Sequence, residues 1–183
     1  MSRAAVFLDR DGVLCQSTVI DGKPYAVRRV EDFRLLPGTV RAVEALRHAG
    51  FAIVVVTNQP DIGNGLVSRD VVEQMHRRLR QRIRPDAIEL CPHRQDEGCA
   101  CRKPKPGMLH AAAQRLGIDL SASFMVGDRW NDIVAGRQAG VYTVLIDRGY
   151  REGIAVDPDW VAHSLPAATA HILARGTVPG SVG

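Results

Sequence analysis

The sequence predicts an α/β protein built on a doubly wound parallel sheet with helices on both faces. Three observations point there. Short apolar runs rich in β-branched residues alternate with helical stripes along most of the chain. The run at 51–56 is apolar throughout, as expected of a strand covered on both faces. Asp9, Thr57 and Asp128 each stand directly after a predicted strand, where open parallel sheets place their binding crevice.

Residues 4–8 form the first strand, apolar and closed by a polar turn. Residues 13–36 are mixed, with a turn at Asp21-Gly22-Lys23-Pro24, and read as a loop or small hairpin over the end of that strand. Tyr25 and Arg28 or Arg29 in this segment are read as packing or solvating it. Pro37-Gly38-Thr39 opens a helix with Thr39 as N-cap, a stripe of Val40, Val43, Ala45 and Leu46, and Gly50 as the stop. The strand at 51–56 runs into Thr57-Asn58-Gln59. A helix follows from 68 to 84, its arginines (77, 78, 80, 82 and 84) spread around a solvated outer face.

A third strand spans 87–90, and beyond an irregular segment come a helix at 107–116 and a strand at 124–126. Gly127-Asp128 ends that strand, and a helix at 131–139 stops at Gly140. A strand at 141–146, a loop at 147–150, a short strand at Trp160-Val161 and a helix at 166–174 complete the pattern. Residues 1–175 read as a single domain, with 176–183 as a flexible tail.

With 183 residues the chain can bury a full core. Its 45% apolar and 24% charged content are those of a soluble globular protein. No apolar run approaches the ~20 residues of a membrane span, and the N-terminus leads straight into a strand, so a cytoplasmic protein with no membrane partner is expected. The net charge of +4 is dispersed, and no aromatic platform or recognised module accompanies it. No nucleic-acid partner is expected; an anionic small molecule suits the balance, and a monomer is the expectation.

Asp9 and Asp11 follow the first strand two residues apart. Buried carboxylates need partners, and a hard divalent cation with room left for phosphate oxygens is one answer; a surface turn is the other. Hydrolysis of a phosphate monoester needs a nucleophile, charge neutralisation and a proton source. Asp9 suits attack on phosphorus, Asp11 suits proton transfer to the leaving oxygen, and Asp128 can complete a magnesium site with Asp9. Thr57 offers a hydroxyl and Asn58 a backbone amide to phosphate. Lys103, a compact point charge, suits the transferring phosphoryl, and Arg102 suits a bidentate grip on a second anionic group; singly, either reads as solvated surface charge.

Cys91-Pro92-His93 and Cys99-Ala100-Cys101 place three thiols and an imidazole close together. Four such ligands suit tetrahedral zinc in a structural site, against a disulfide or unrelated free thiols. The clasp would order the charged loop at 94–98 and fix Arg102 and Lys103, which follow it. Cys15 reads as a packing residue.

Asp9-Arg10-Asp11-Gly12, Thr57-Asn58-Gln59, Arg102-Lys103-Pro104 and Gly127-Asp128 with Asp132 resemble, in order, the four motifs of the haloacid dehalogenase superfamily of phosphatases. The likeness covers residues 4–147 and is greatest to the heptose bisphosphate and histidinol-phosphate phosphatases, which also carry Cys-x-His followed by Cys-x-Cys. It implies a Rossmann-like fold without a large cap domain. It implies Asp9 as nucleophile, Asp11 as acid/base, and magnesium on Asp9, the Asp11 carbonyl and Asp128. Phosphate contacts fall to Thr57, Asn58 and Lys103, substrate contacts to Asn58, Gln59 and Arg102, with Asp132 a supporting carboxylate. The implied substrate is a sugar phosphate, foremost a heptose 1,7-bisphosphate losing its 7-phosphate, with histidinol phosphate the alternative. Two departures stand out: Val13 where the family has Thr, and Pro60-Asp61-Ile62-Gly63-Asn64-Gly65 where heptose enzymes commonly have Ser-Gly-Ile-Ala-Arg-Gly.

Overall fold

A computed structural model describes residues 2–153 and 156–175. The predicted tail at 176–183 lies outside the described residues. A parallel sheet of six strands runs in the order β5-β4-β1-β6-β7-β8. These are β1 (Ala5–Leu8), β4 (Ala52–Asn58), β5 (Ala87–Cys91), β6 (Phe124–Gly127), β7 (Tyr142–Ile146) and β8 (Trp160–Ala162); β2 (Thr18–Ile20) and β3 (Lys23–Tyr25) form a separate antiparallel hairpin. The helices are α1 (Thr39–His48), α2 (Pro60–Gly63), α3 (Arg69–Ile83), α4 (Gly107–Leu116), α5 (Trp130–Ala139) and α6 (Leu165–Arg175).

The pleat sorts the core into two layers. Val6 and Leu8 of β1 pack with Val43 and Leu46 of α1, Met75 and Leu79 of α3, and Ile172 of α6. Ala5 and Phe7 face the other way, onto Met108, Leu109 and Ala112 of α4 and Ala135 of α5. Successive residues of a strand point to opposite faces, so a strand apolar at every position needs a helix layer on each side. Val13, in the place of the family's Thr, is fully buried in the first layer.

From β1 the chain builds outward through β4 to β5, then returns to lay β6 on the other side of β1. The strand order therefore reverses between β1 and β6, and the crevice opens at their carboxyl ends. Asp9 follows β1 and Asp128 follows β6, in adjacent strands held in register by Leu8 opposite Val126.

Several boundaries differ from expectation for local reasons. Gly38, at φ +80°, is the residue before α1, and Thr39 is its first helical residue. The Thr39 hydroxyl donates to the Leu14 carbonyl (3.1 Å) instead of capping the helix. β4 extends through Asn58 and β5 through Cys91, because their ladder continues to the pair Asn58–Cys91. α2 is formed by the departing segment after Gln59, with Pro60 at its start. Its Gly63 lies against the zinc-motif loop, where a Cβ would meet the Pro92 carbonyl at 2.8 Å.

Candidate active site

Strand ends and one loop bring the charged residues together. Asp9, Asp128 and Asp132 are all buried, and each offers an oxygen within 4.8 Å of the others'. Lys103, also buried, donates to Asp9 Oδ1 (2.9 Å) and to the Val56 carbonyl (2.8 Å), and pairs with Asp132 Oδ1 at 2.6 Å. Asp132 Oδ2 accepts the Arg129 amide (3.1 Å) at the start of α5.

Three carboxylates facing one ammonium are an unbalanced set. Burial lifts Asp128 well above the usual carboxylate range, and the negative charges of Asp9 and Asp132 push it further. Asp132 is raised to about 6 by burial, with Lys103 opposing that rise. Burial would lower Lys103, but Asp132 and Asp9 outweigh it and raise the ammonium's pKa. If all three carboxylates are ionised, the set of Asp9, Asp128, Asp132 and Lys103 carries two excess negative charges. A dication cancels them, and Asp128 Oδ1 is buried with no hydrogen-bond partner among the described residues. Hard oxygen donors in this arrangement suit magnesium.

Asp11 stands beside this cluster under its own grip. Arg10 is fully buried and holds both Asp11 oxygens, Nε to Oδ2 (3.0 Å) and Nη2 to Oδ1 (3.1 Å). Burial works against the Arg10 charge, but Asp11 more than restores it. The third face of the guanidinium meets Nε2 of His76, on α3, at 3.2 Å. That imidazole is held neutral, with its pKa lowered to about 4 by burial and then by Arg10. Arg10 and His76 carried no sequence signal: an Arg between two Asp reads as a solvated turn, and its partner lies 66 residues away.

A cavity of about 250 Å³ covers the cluster, lined by Asp9, Asp11, Asn58, Arg102, Lys103 and Asp128 among others. Two residues expected to touch substrate are placed differently. Gln59 is buried and its amide donates to Asp11 Oδ2 (2.7 Å) and Thr57 Oγ1 (2.9 Å), so its side chain serves the carboxylate. A nearly buried Asp11 needs its remaining lone pairs satisfied, which is the physical reason. Thr57 is buried with it, behind the cavity lining. Asn58 lines the cavity, but its side chain clamps the Lys103 backbone in both directions, at 3.0 and 3.1 Å. Arg102 lines the cavity with one buried terminal nitrogen that has no hydrogen-bond partner among the described residues.

Tyr25 also lines the cavity, on the hairpin, and Arg28 pairs with Asp61 of α2, another lining residue, at 2.6 Å. Cys15 is buried, its thiol donating to the Arg10 carbonyl (3.4 Å), as a packing residue would.

The cysteine–histidine set closes just upstream of Lys103. Cys91 Sγ lies 3.6 Å from His93 Nδ1 and 3.6 Å from Cys99 Sγ; Cys101 Sγ lies 3.6 Å from Cys99 Sγ and 3.2 Å from His93 Nδ1. Tetrahedral zinc with bonds of 2.0–2.3 Å sets such edges at roughly 3.5–3.8 Å, so the four atoms fit zinc to within a few tenths of an ångström. Among the described residues no helix is long and apolar enough to cross a membrane.

Comparison with known proteins identifies the family. Residues 100–168 match the HAD-hydrolase-like family model. The chain is 38% identical over 154 residues to the D-glycero-β-D-manno-heptose-1,7-bisphosphate 7-phosphatase of Pseudomonas aeruginosa, covering 81% of this chain and 84% of that protein. It is 36% identical to the D-glycero-D-manno-heptose-1,7-bisphosphate 7-phosphatase of Thermosynechococcus vestitus, covering 94% and 96%. The D,D-heptose 1,7-bisphosphate phosphatase of B. bronchiseptica, solved with magnesium and phosphate, superposes with a TM-score of 0.80 at 33% identity, covering 94% of this chain and 99% of that one.

Proposed function

The chain belongs to the haloacid dehalogenase-like phosphatases, and from that premise we propose that it removes the 7-phosphate of D-glycero-β-D-manno-heptose 1,7-bisphosphate with magnesium as cofactor. The observation that carries this reading is the meeting of Asp9, Lys103 and Asp128 at the switch point of the sheet, in a chain more than one-third identical to such enzymes over most of its length.

Asp9 is the nucleophile. Its Oδ1 is fixed by Lys103, and a carboxylate oxygen attacks phosphorus in line with the departing sugar oxygen. The bond to that oxygen breaks as Asp11 delivers a proton to it, leaving an aspartyl-phosphate on Asp9. Asp11 then takes a proton from water, which attacks the phosphorus and restores the Asp9 carboxylate. Arg10 and Gln59 hold the Asp11 side chain beside the cluster, and one of these bonds gives way when Asp11 carries the proton. Lys103 and the Asn58 backbone amide meet the phosphoryl oxygens, and Arg102 receives the second phosphate of the substrate. Asp9, Asp128 and the Asp11 carbonyl would hold magnesium, which would supply positive charge to offset the carboxylates and the phosphoryl group.

Cys91, His93, Cys99 and Cys101 would hold a structural zinc. Cysteines without disulfide partners suit a reducing compartment, and the cytoplasm is the compartment proposed for the enzyme. It acts as a monomer on a small sugar phosphate, with residues 1–175 as one catalytic unit.

The test is phosphate release, with magnesium present, from the heptose bisphosphate, heptose 7-phosphate, other sugar phosphates and histidinol phosphate. The bisphosphate should give the highest kcat/KM, and Asp9→Asn should lose turnover by roughly 10⁴-fold or more with its fold intact. A preference for histidinol phosphate would replace the substrate, and persistent turnover by Asp9→Asn would remove the nucleophile.

A further inference from the structure

The two oxygens of Asp128 have different surroundings. Oδ2 accepts a hydrogen bond from the Tyr150 hydroxyl at 2.8 Å, while Oδ1 is buried and has no partner among the described residues. Tyr150 is itself braced: the Ser17 hydroxyl lies 3.1 Å from its oxygen and donates to it when Tyr150 donates to Asp128. The loop carrying Tyr150 is tied to the hairpin by the Arg151 amide on the Gly22 carbonyl (2.9 Å), and to the Asp-x-Asp-Gly turn by Arg148 on the Gly12 carbonyl (2.9 Å).

Gly12 makes the room. At φ +82° it turns the chain under Asp128, and a Cβ there would lie 1.8 Å from Oδ2 and 3.1 Å from the Tyr150 hydroxyl oxygen. A methyl group at this position would occupy the place of the hydrogen-bonded oxygen. The glycine, the tyrosine and the carboxylate are thus one packed unit, assembled from three separate parts of the chain.

We propose that Tyr150 is a positioning residue that commits Asp128 to bind metal through one oxygen, and that this biases the site toward magnesium over calcium. The inference rests on the reading that Asp9 and Asp128 hold the catalytic cation. Its physical basis is the difference between the two ions. Magnesium requires near-octahedral geometry at 2.0–2.1 Å, which one oxygen per carboxylate satisfies. Calcium, larger and tolerant of six to eight ligands, gains from carboxylates that turn both oxygens to it. A tyrosine occupying Oδ2 withholds the second oxygen, so calcium loses a ligand that magnesium does not use. Hydrogen bonds to ligating carboxylates of this kind commonly change metal affinity by about 10–100-fold.

The experiment uses zinc-loaded full-length protein without substrate. Binding of Mn²⁺ is followed by the electron paramagnetic resonance of the free ion, with Mg²⁺ and Ca²⁺ as competitors. Wild type should bind Mn²⁺ and be competed more strongly by Mg²⁺ than by Ca²⁺. In Tyr150→Phe, Mg²⁺ should compete about tenfold less well while Ca²⁺ holds or improves. A ratio of the two competitors unchanged in a folded Tyr150→Phe protein overturns the proposal. Absence of Mn²⁺ binding by wild type, or Mn²⁺ binding unaffected by Asp128→Asn, instead overturns the underlying assignment of the cation site. A second measurement needs no variant: in a crystal of wild type grown with magnesium, Asp128 should ligate through one oxygen with Tyr150 on the other. Ligation through both oxygens ends the proposal.

Discussion

Asp9 and Asp128 sit at the ends of central strands, and Asp132 lies within the buried first turn of α5; all three are fixed by the same contacts that build the core. Cys91 alone of the other cluster lies on a strand, while His93, Cys99 and Cys101 belong to an irregular segment of half-exposed and exposed residues. The carboxylate cluster therefore has an internal counter-charge, Lys103, and a scaffold that forces like charges together. The sulfur cluster has neither, and its loop at 94–98 buries no core of its own. One site gathers like charges that a cation would relieve, whereas the other would gain its order from one. The two meet at Arg102-Lys103, where the clasp ends and Asn58 takes hold of the Lys103 backbone.

The contrast can be broken most forcefully at Lys103. Lys103→Met leaves Asp9 and Asp132 buried without their ammonium, and should cost about 3–5 kcal/mol in magnesium-free denaturant melts. Added magnesium should restore part of that loss. Unchanged stability would mean that the fold does not hold these charges in tension.

A second, smaller effect appears on acidification. His76 has a pKa of about 4 when folded, below the ordinary 6.5 of an unfolded histidine. The unfolded chain therefore binds the extra proton first, and the stability present above pH 6.5 falls as the pH drops through 6.5 toward 4. The loss from this group is about 3 kcal/mol, and it levels off below pH 4. His76→Gln should flatten that part of the stability–pH curve, as read by thermal melts from pH 7 to pH 4. A curve that keeps its slope assigns the acid sensitivity elsewhere.

The smallest global effect belongs to the clasp. Cys99→Ala should lose zinc and lower kcat by about 10–100-fold, by loosening Arg102 and Lys103, while the melting temperature of the core moves little. Full activity without zinc would separate the clasp from catalysis. Collapse of the whole fold would show that the clasp holds more than its loop.

The sheet and its helices were legible because apolar periodicity records burial directly, and a strand such as 52–56 has no other way to satisfy five successive buried side chains. The grouping of Cys91, His93, Cys99 and Cys101 was legible for a similar reason: soft ligands close in sequence advertise themselves by residue type alone. The partners of Asp11 were not legible. Arg10 pairs with His76 from α3 and Asp11 with Gln59 from beyond β4, through contacts spanning 66 and 48 residues that leave no local pattern.

The amino-acid order by itself determined which residues could do chemistry, since strand ends, glycine turns and soft-ligand spacing are properties of short stretches. Tertiary structure alone decided what each of those side chains is free to do. It turned Gln59 inward to Asp11, spent the Asn58 side-chain amide on Lys103, and set Tyr150 against one oxygen of Asp128. Hydrogen-bonding capacity is finite, and which partner consumes it depends on distances that only the folded chain sets.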